Sequence, residues 1–394
     1  MSHAATIDMP LTAEESTDAP PVIERASALR RGVRATASGI DWGFGLISLV
    51  VGLALLSIVP FLNFLSLGYL LHASGRVAHT GKLRNGFVGI RKASILGSFI
   101  VGTWLIFLPI RFISGMWKDA ELVAPGSPNA NAWHLGLLIL TVLAVLHVVW
   151  ACIRGGRIRH FLWPAPVRFF RWLKTADKFE TMRNAVVDYI VSLRLPYYFW
   201  LGARGFFGAF AWLFLPVSTL IVGARLDPEK GGILLNFVGM LMLMFVVLYL
   251  PFLQTYFAVT QRFRDLFAVK QVRQMFKCAP VAFWLALLIT LLFALPLYLL
   301  KIELPPREIA WLPSLLFVLF IFPARLITGW AVSRAMRHDQ PRHWFFRWTS
   351  RLALVPVVMF YVLFIFLTQY LSWNGSASLL EQHAFMVPAP LMGL

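Results

Sequence analysis

Eight long apolar stretches govern what this chain can become. They run approximately over 43–72, 94–115, 133–153, 198–223, 232–259, 281–300, 310–333 and 351–372, and none contains an Asp or Glu. About 20 apolar residues in helical form cross a hydrocarbon core of ~30 Å, and barrel strands are about half as long. Lipid offers the backbone no hydrogen-bond partner, so a spanning segment must satisfy its own N–H and C=O groups. The expected fold class is therefore all-α: a polytopic transmembrane helical bundle of about eight spans. Only 14% of the 394 residues are charged, against about a quarter in a soluble chain.

Charge sorts the connections between these runs. The chain carries 36 Lys+Arg against 18 Asp+Glu, a net +18. In a soluble protein that balance would suggest nucleic acid, but no helix-turn-helix or RNA-binding signature accompanies it. Nucleic acid is not an expected partner. The cations instead gather in alternate connections: five Lys+Arg over 73–93, nine over 154–197, five over 260–280 and five over 334–351. The other connections hold one (116–132), two (224–231) and two (301–309), and the tail after Leu371 has none. The positive-inside bias predicts that the basic connections are cytoplasmic. An even number of spans then sets the N-terminus on the far side, although 25–34 carries Arg25, Arg30, Arg31 and Arg34. The run 43–72, with Pro60 and Asn63 near its middle, is either one straight or kinked span or a re-entrant hairpin with its tip at VPFLN.

The chain also echoes itself. VPFLN (59–63) is answered by LPFLQ (250–254), FLPI (107–110) by FALPL (293–297), and RHFLWPAPVRFFRW (159–172) by RHDQPRHWFFRW (337–348). Three landmarks in one order point to a parallel tandem repeat of 4+4 helices. The expected division is a polar tail over 1–41, a first unit over 42–224, a second over 225–373 and a short tail over 374–394. Within the first tail, 1–22 reads as disordered, with no signal-peptide pattern. Residues 22–40 read as an interfacial helix or a solvated basic linker. An insertion at 175–197 reads as an amphipathic surface helix.

Chemistry is constrained by what the runs lack. Without acids at depth, proton relays, paired-carboxylate hydrolysis and magnesium sites have no ligands to build on. The nine histidines show no helical pairing, and Cys152 and Cys278 have no metal-ligand spacing. No catalytic set, metal or cofactor is expected. Within runs, Arg204 and Arg325 lie toward the basic ends, where snorkelling to headgroups or an anion pocket would explain them. His147 reads as a hydrogen-bonded interior residue or a relay. Gly202, Gly205, Gly208 and Ala209 form a small-residue face suited to close helix packing. The repeated segments place Arg159, His160, Arg171 and Trp172, and again Arg337, His338, Arg347 and Trp348, where chain meets headgroups. They serve either as interfacial anchors or as specific sites for anionic lipid headgroups. Membrane lipids are the expected partners.

Asp41-Trp42, the glycines at 43, 45 and 52, Val59-Pro60, Asn63 and Leu67-Gly68-Tyr69-Leu70 resemble a domain-of-unknown-function family of prokaryotic polytopic membrane proteins. In that family a proline, an asparagine and a Gly-Tyr pair mark the end of the first apolar run. Its following Leu-Pro-aromatic-acidic element is replaced here by GKLRNGFVG (81–89). The resemblance implies a multi-pass fold without an assigned activity, and the expected location is a bacterial cytoplasmic membrane. The expected function is a non-enzymatic envelope protein, a lipid-interacting scaffold or a permease. The alternative is a membrane enzyme acting on lipid headgroups through arginines and His160 or His338.

Overall fold

The computed structural model describes residues 28–173, 178–299, 311–338, 340–372 and 375–379. The disorder expected over 1–22 lies outside the described residues, as do 300–310 and 380–394. Two compact units divide the chain, Met1–Ile40 and Asp41–Leu394, and the second carries the bundle.

Every regular element among the described residues is a helix. In order they are α1 (Ala28–Ile58), α2 (Asn63–Thr80), α3 (Ile90–Val123), α4 (Pro128–Ile153), α5 (Ile158–Leu162), α6 (Pro166–Leu173) and α7 (Lys178–Ser192). There follow α8 (Leu195–Arg225), α9 (Gly232–Thr260), α10 (Val269–Cys278), α11 (Pro280–Leu299), α12 (Trp311–Met336) and α13 (Trp344–Thr368). Eight helical segments are long and apolar enough to cross a membrane, beginning at Ser38, Ile90, Pro128, Met182, Gly232, Pro280, Trp311 and Trp344. Each expected run meets one of them, the first only as far as Ile58, and the protein is an all-α polytopic integral membrane bundle. Prolines 109, 216, 251, 296, 323 and 356 sit inside spans. Membrane helices tolerate this because neighbouring helices re-satisfy the freed backbone groups.

The first run departs from a single span. α1 stops at Ile58 and α2 starts at Asn63, with Phe61 at φ +67 in the turn between them. The Ser66 hydroxyl donates to the Leu53 carbonyl at 3.0 Å, and Trp42 meets Phe87 edge-on at 5.7 Å. The two helices therefore run antiparallel. The apolar window of α1 is 21 residues, about 31 Å of helix, and the 18 residues of α2 add about 27 Å back. A re-entrant tip at mid-depth would need shorter legs. The helix expected over 22–40 is, from Ala28 on, the start of α1.

α2 is the hub of the bundle, packing on α8, α9 and α12, and most of its residues from Ser66 to Ala78 are buried. Glycine makes this possible. A Cβ on Gly68 would strike the Tyr198 carbonyl of α8, and one on Gly202 would strike the Phe64 carbonyl of α2. Gly205 and Gly208 face Leu71 and Leu266, so the small-residue face of α8 is the packing surface the sequence suggested. Gly329 of α12 lies against the Ser74 carbonyl, and Gly75 against Ala258 of α9. By contrast, α3 and α4 pair with each other and with α5, leaving most of their span surface uncovered.

All four basic connections meet at one end of the bundle. Lys92 Nζ donates to the Ser192 carbonyl at 2.6 Å and the Tyr189 hydroxyl to the Lys92 carbonyl at 2.9 Å, joining the first connection to α7. Arg337 donates to the Thr80 carbonyl at 2.6 Å. The Arg342 N–H donates to the Lys277 carbonyl at 2.9 Å.

Candidate functional site

The basic end holds the site residues foreseen in the sequence, in two separate settings. In the first, Arg154 caps α4 and its guanidinium donates to the carbonyls of His160 and Trp163, the latter at 2.6 Å. The same guanidinium lies over the Trp150 ring at 5.4 Å. Trp150 Nε1 donates to the Pro164 carbonyl at 2.7 Å, and Phe169 and Trp172 pack on its ring at 5.2 and 5.6 Å. This aromatic clasp holds α5 and α6 against the end of α4. His147 belongs to it as a structural donor, its Nε2 bonded to the Phe161 carbonyl at 2.7 Å. Arg159 and Arg171 are exposed and His160 is half-buried. Burial, then the charges of Arg154, Arg159, Arg157 and Arg168, push the His160 imidazole below its ordinary pKa.

In the second setting the corresponding residues lie on the end of α12 and the first turns of α13. Arg337 is spent on the Thr80 carbonyl. Trp348 is exposed, with the Arg351 guanidinium 6.0 Å from its ring centre. Arg347 keeps a buried Nε without a hydrogen-bond partner. His338 opens into a cavity of about 350 Å³ shared with Arg334, Arg342, Trp330, Phe346 and Cys278. Arg334 stacks over Trp330 at 5.3 Å, which holds one cation in place. The structure thus gathers His338 with Arg334 and Arg342, while Arg159, His160, Arg171 and Trp172 belong to the α4 clasp. The two echoed segments also differ locally: short helices α5 and α6 in one, a helix end, loop and new span in the other.

The intramembrane arginines part ways. Arg204 is half-buried and donates to the Gln261 carbonyl at 3.1 Å, consistent with a side chain reaching toward the basic end. Arg325 does not snorkel: it is 3% exposed and donates to Gln254 Oε1 at 2.7 Å. Beside it, the Ser74, Thr255 and Thr328 hydroxyls chain together at 2.8 and 3.3 Å. This polar seam ties α2, α9 and α12 in the interior. Where the alternative reading put an anion pocket, the Arg325 guanidinium meets the Gln254 side chain.

Two features escaped the sequence reading. At the junction of α2, α8 and α9, the Tyr197 hydroxyl accepts from Gln261 Nε2 at 2.7 Å and pairs with His72 Nδ1 at 3.1 Å. The second is a turn that occurs twice. TGKLRNGF (80–87) and TQRFRDLF (260–267) each carry a left-handed residue in second place, Gly81 at φ 69 and Gln261 at φ 58. The N–H of each donates back to a helix carbonyl at 2.7 Å. An extended basic residue and a 3-10 turn follow in both. The shared Thr, Arg and Phe, with Lys/Arg and Asn/Asp exchanges, were the available signal. The paired VPFLN and LPFLQ, by contrast, stand in different places: an interhelical turn and the interior of α9.

Among the described residues, no three His, Cys, Asp or Glu side chains gather as a metal set. Compared with family models, curated proteins and solved structures, this chain matches none of them.

Proposed function

We propose that this integral membrane protein is a non-enzymatic, lipid-interacting protein of the bacterial cytoplasmic membrane, with its basic end at the cytoplasmic leaflet. In this reading the protein engages anionic headgroups there. The observation that carries it is the cavity in which Arg334, His338 and Arg342 converge beside Trp330 and Phe346. Arginine forks bind phosphate through paired charge-assisted hydrogen bonds, and aromatic side chains suit the headgroup level. The resemblance of 41–71 to a prokaryotic multi-pass family supports the membrane part of this reading. Of the scaffold and permease forms, the scaffold form fits better, because Arg325 serves as interhelical glue.

The orientation follows if α2 is counted as a crossing. Nine crossings put the two ends of the chain on opposite sides of the bilayer, which removes the parity conflict raised by the arginines at 25–34. The protein packed around α2 explains why it need not be as apolar as a lipid-facing span. The parallel repeat also fits this count, with α2 and α9 as the first helices of the two units and α1 standing outside them.

Native mass spectrometry of the detergent-purified protein, titrated with palmitoyl-oleoyl phosphatidylglycerol or phosphatidylcholine, tests the lipid reading. Wild type is expected to favour phosphatidylglycerol, and Arg334→Gln/His338→Gln/Arg342→Gln to lose that preference. Equal retention of both lipids by wild type would overturn the reading.

A further inference from the structure

A second cleft opens at the basic end, between α9, α10 and α13, with a volume of about 270 Å³. Its walls include Met244 and Leu248 of α9, Phe276 of α10, and Val355 and Val358 of α13. From Arg351 to Val358 it follows α13 for seven residues, about 10 Å along the helix axis. Arg273 and Arg351 line the same cleft, both belonging to the basic connections. Tyr249 contributes the one other polar side-chain atom of the lining, and no carboxylate is present. The Arg351 guanidinium stands between two aromatic faces, 5.8 Å from the Phe276 ring centre and 6.0 Å from that of Trp348. The described ion pairs, Arg183–Glu180 and Lys230–Asp227, involve neither Arg273 nor Arg351.

A long apolar slot with cations at one end has the polarity of a single phospholipid. We infer that this cleft seats one anionic membrane phospholipid, an acyl chain lying between α9 and α13 and the phosphate held by Arg273 and Arg351. The inference rests on the lipid-facing orientation of the basic end, but it concerns residues distinct from those of the Arg334–His338–Arg342 cavity. A free phosphate would leave the apolar slot empty, and a neutral lipid would leave two cations without a counter-charge. The depth and the charge together select the phospholipid.

The test counts bound lipid on the full-length protein by native mass spectrometry, with palmitoyl-oleoyl phosphatidylglycerol added stepwise and inorganic phosphate as a separate probe. Arg273→Gln/Arg351→Gln is expected to weaken one phosphatidylglycerol equivalent by at least about tenfold, the size of one charge-assisted hydrogen bond. Met244→Trp, which narrows the slot without touching charge, is expected to displace the same equivalent. Thermal melting of each variant in detergent separates loss of the site from loss of the fold. Retention of that equivalent by both folded variants overturns the cleft. So does its replacement by inorganic phosphate at equal occupancy. Loss only in Arg334→Gln/Arg342→Gln overturns the cleft while leaving the wider lipid reading standing. Loss only in the Arg273/Arg351 variant supports the cleft and moves the headgroup site away from His338.

Discussion

At the scale of single residues, the interior arginine and the histidine at the rim obey opposite rules. Arg325 is buried and bound to Gln254, so deleting that acceptor removes a hydrogen bond from a charge that cannot reach water. Gln254→Leu is expected to destabilise the bundle by about 2 kcal/mol. Replacing both partners, as Gln254→Leu/Arg325→Met, should recover most of that loss, since a paired polar group and its apolar substitute are often nearly equivalent. A double-mutant cycle of unfolding in mixed micelles measures it. His160 works through charge. Its imidazole binds a proton more weakly in the folded protein than in the unfolded chain, where it titrates near 6.5. Above that pH neither state is protonated and the site's contribution is complete. As pH falls below 6.5 the unfolded state takes up the proton first, so stability declines toward the lower folded pKa. Histidine-selective NMR should find the His160 midpoint below 6.5, and Arg168→Gln should raise it; a midpoint above 6.5 would contradict the geometry of the α4 clasp.

At the scale of helices, the α2–α8 crossing depends on backbone touching backbone. Gly68 and Gly202 face carbonyl oxygens across the crossing, whereas Gly205 faces the flexible end of Leu71. Even Gly202→Ala should lower the melting temperature and the monodisperse yield, and Gly205→Ala should do so less, because a leucine methyl can shift and a helix carbonyl cannot. The sequence disclosed the small face of α8 but not its partner. Spacing shows that glycines align on one side of a helix, yet says nothing of which neighbour they receive. The spans themselves were legible because lipid imposes one rule on every residue of a lipid-facing helix. The polar junction of His72, Tyr197 and Gln261 was not, since its members are 125 and 64 residues apart and each is unremarkable alone. The same holds for Arg325, whose place in the basic-side half of its run points to headgroups while its partner Gln254 lies 71 residues earlier in the chain.

For the molecule as a whole, the decisive difference is between the eight apolar runs and the nine crossings proposed once α2 is counted. α2 escapes a hydropathy count because it carries Asn63, His72, Arg76 and His79, and it can carry them because α8, α9 and α12 surround it. Cysteines placed singly at Leu62 and at Arg84 in a Cys152→Ser/Cys278→Ser background should react with a membrane-impermeant maleimide from opposite sides of the bilayer. Labelling from one side would return the count to eight. The enclosure of α2 has a further consequence for how the protein is made. A segment this polar gains little from being released alone into hydrocarbon, and its sheltering neighbours are encoded as far downstream as α12. Nascent chains stalled before residue 230 should therefore hold the α2 stretch in a protease-accessible state, and only chains long enough to include α12 should seal it away. A helix translated among the first is thus among the last to find its place.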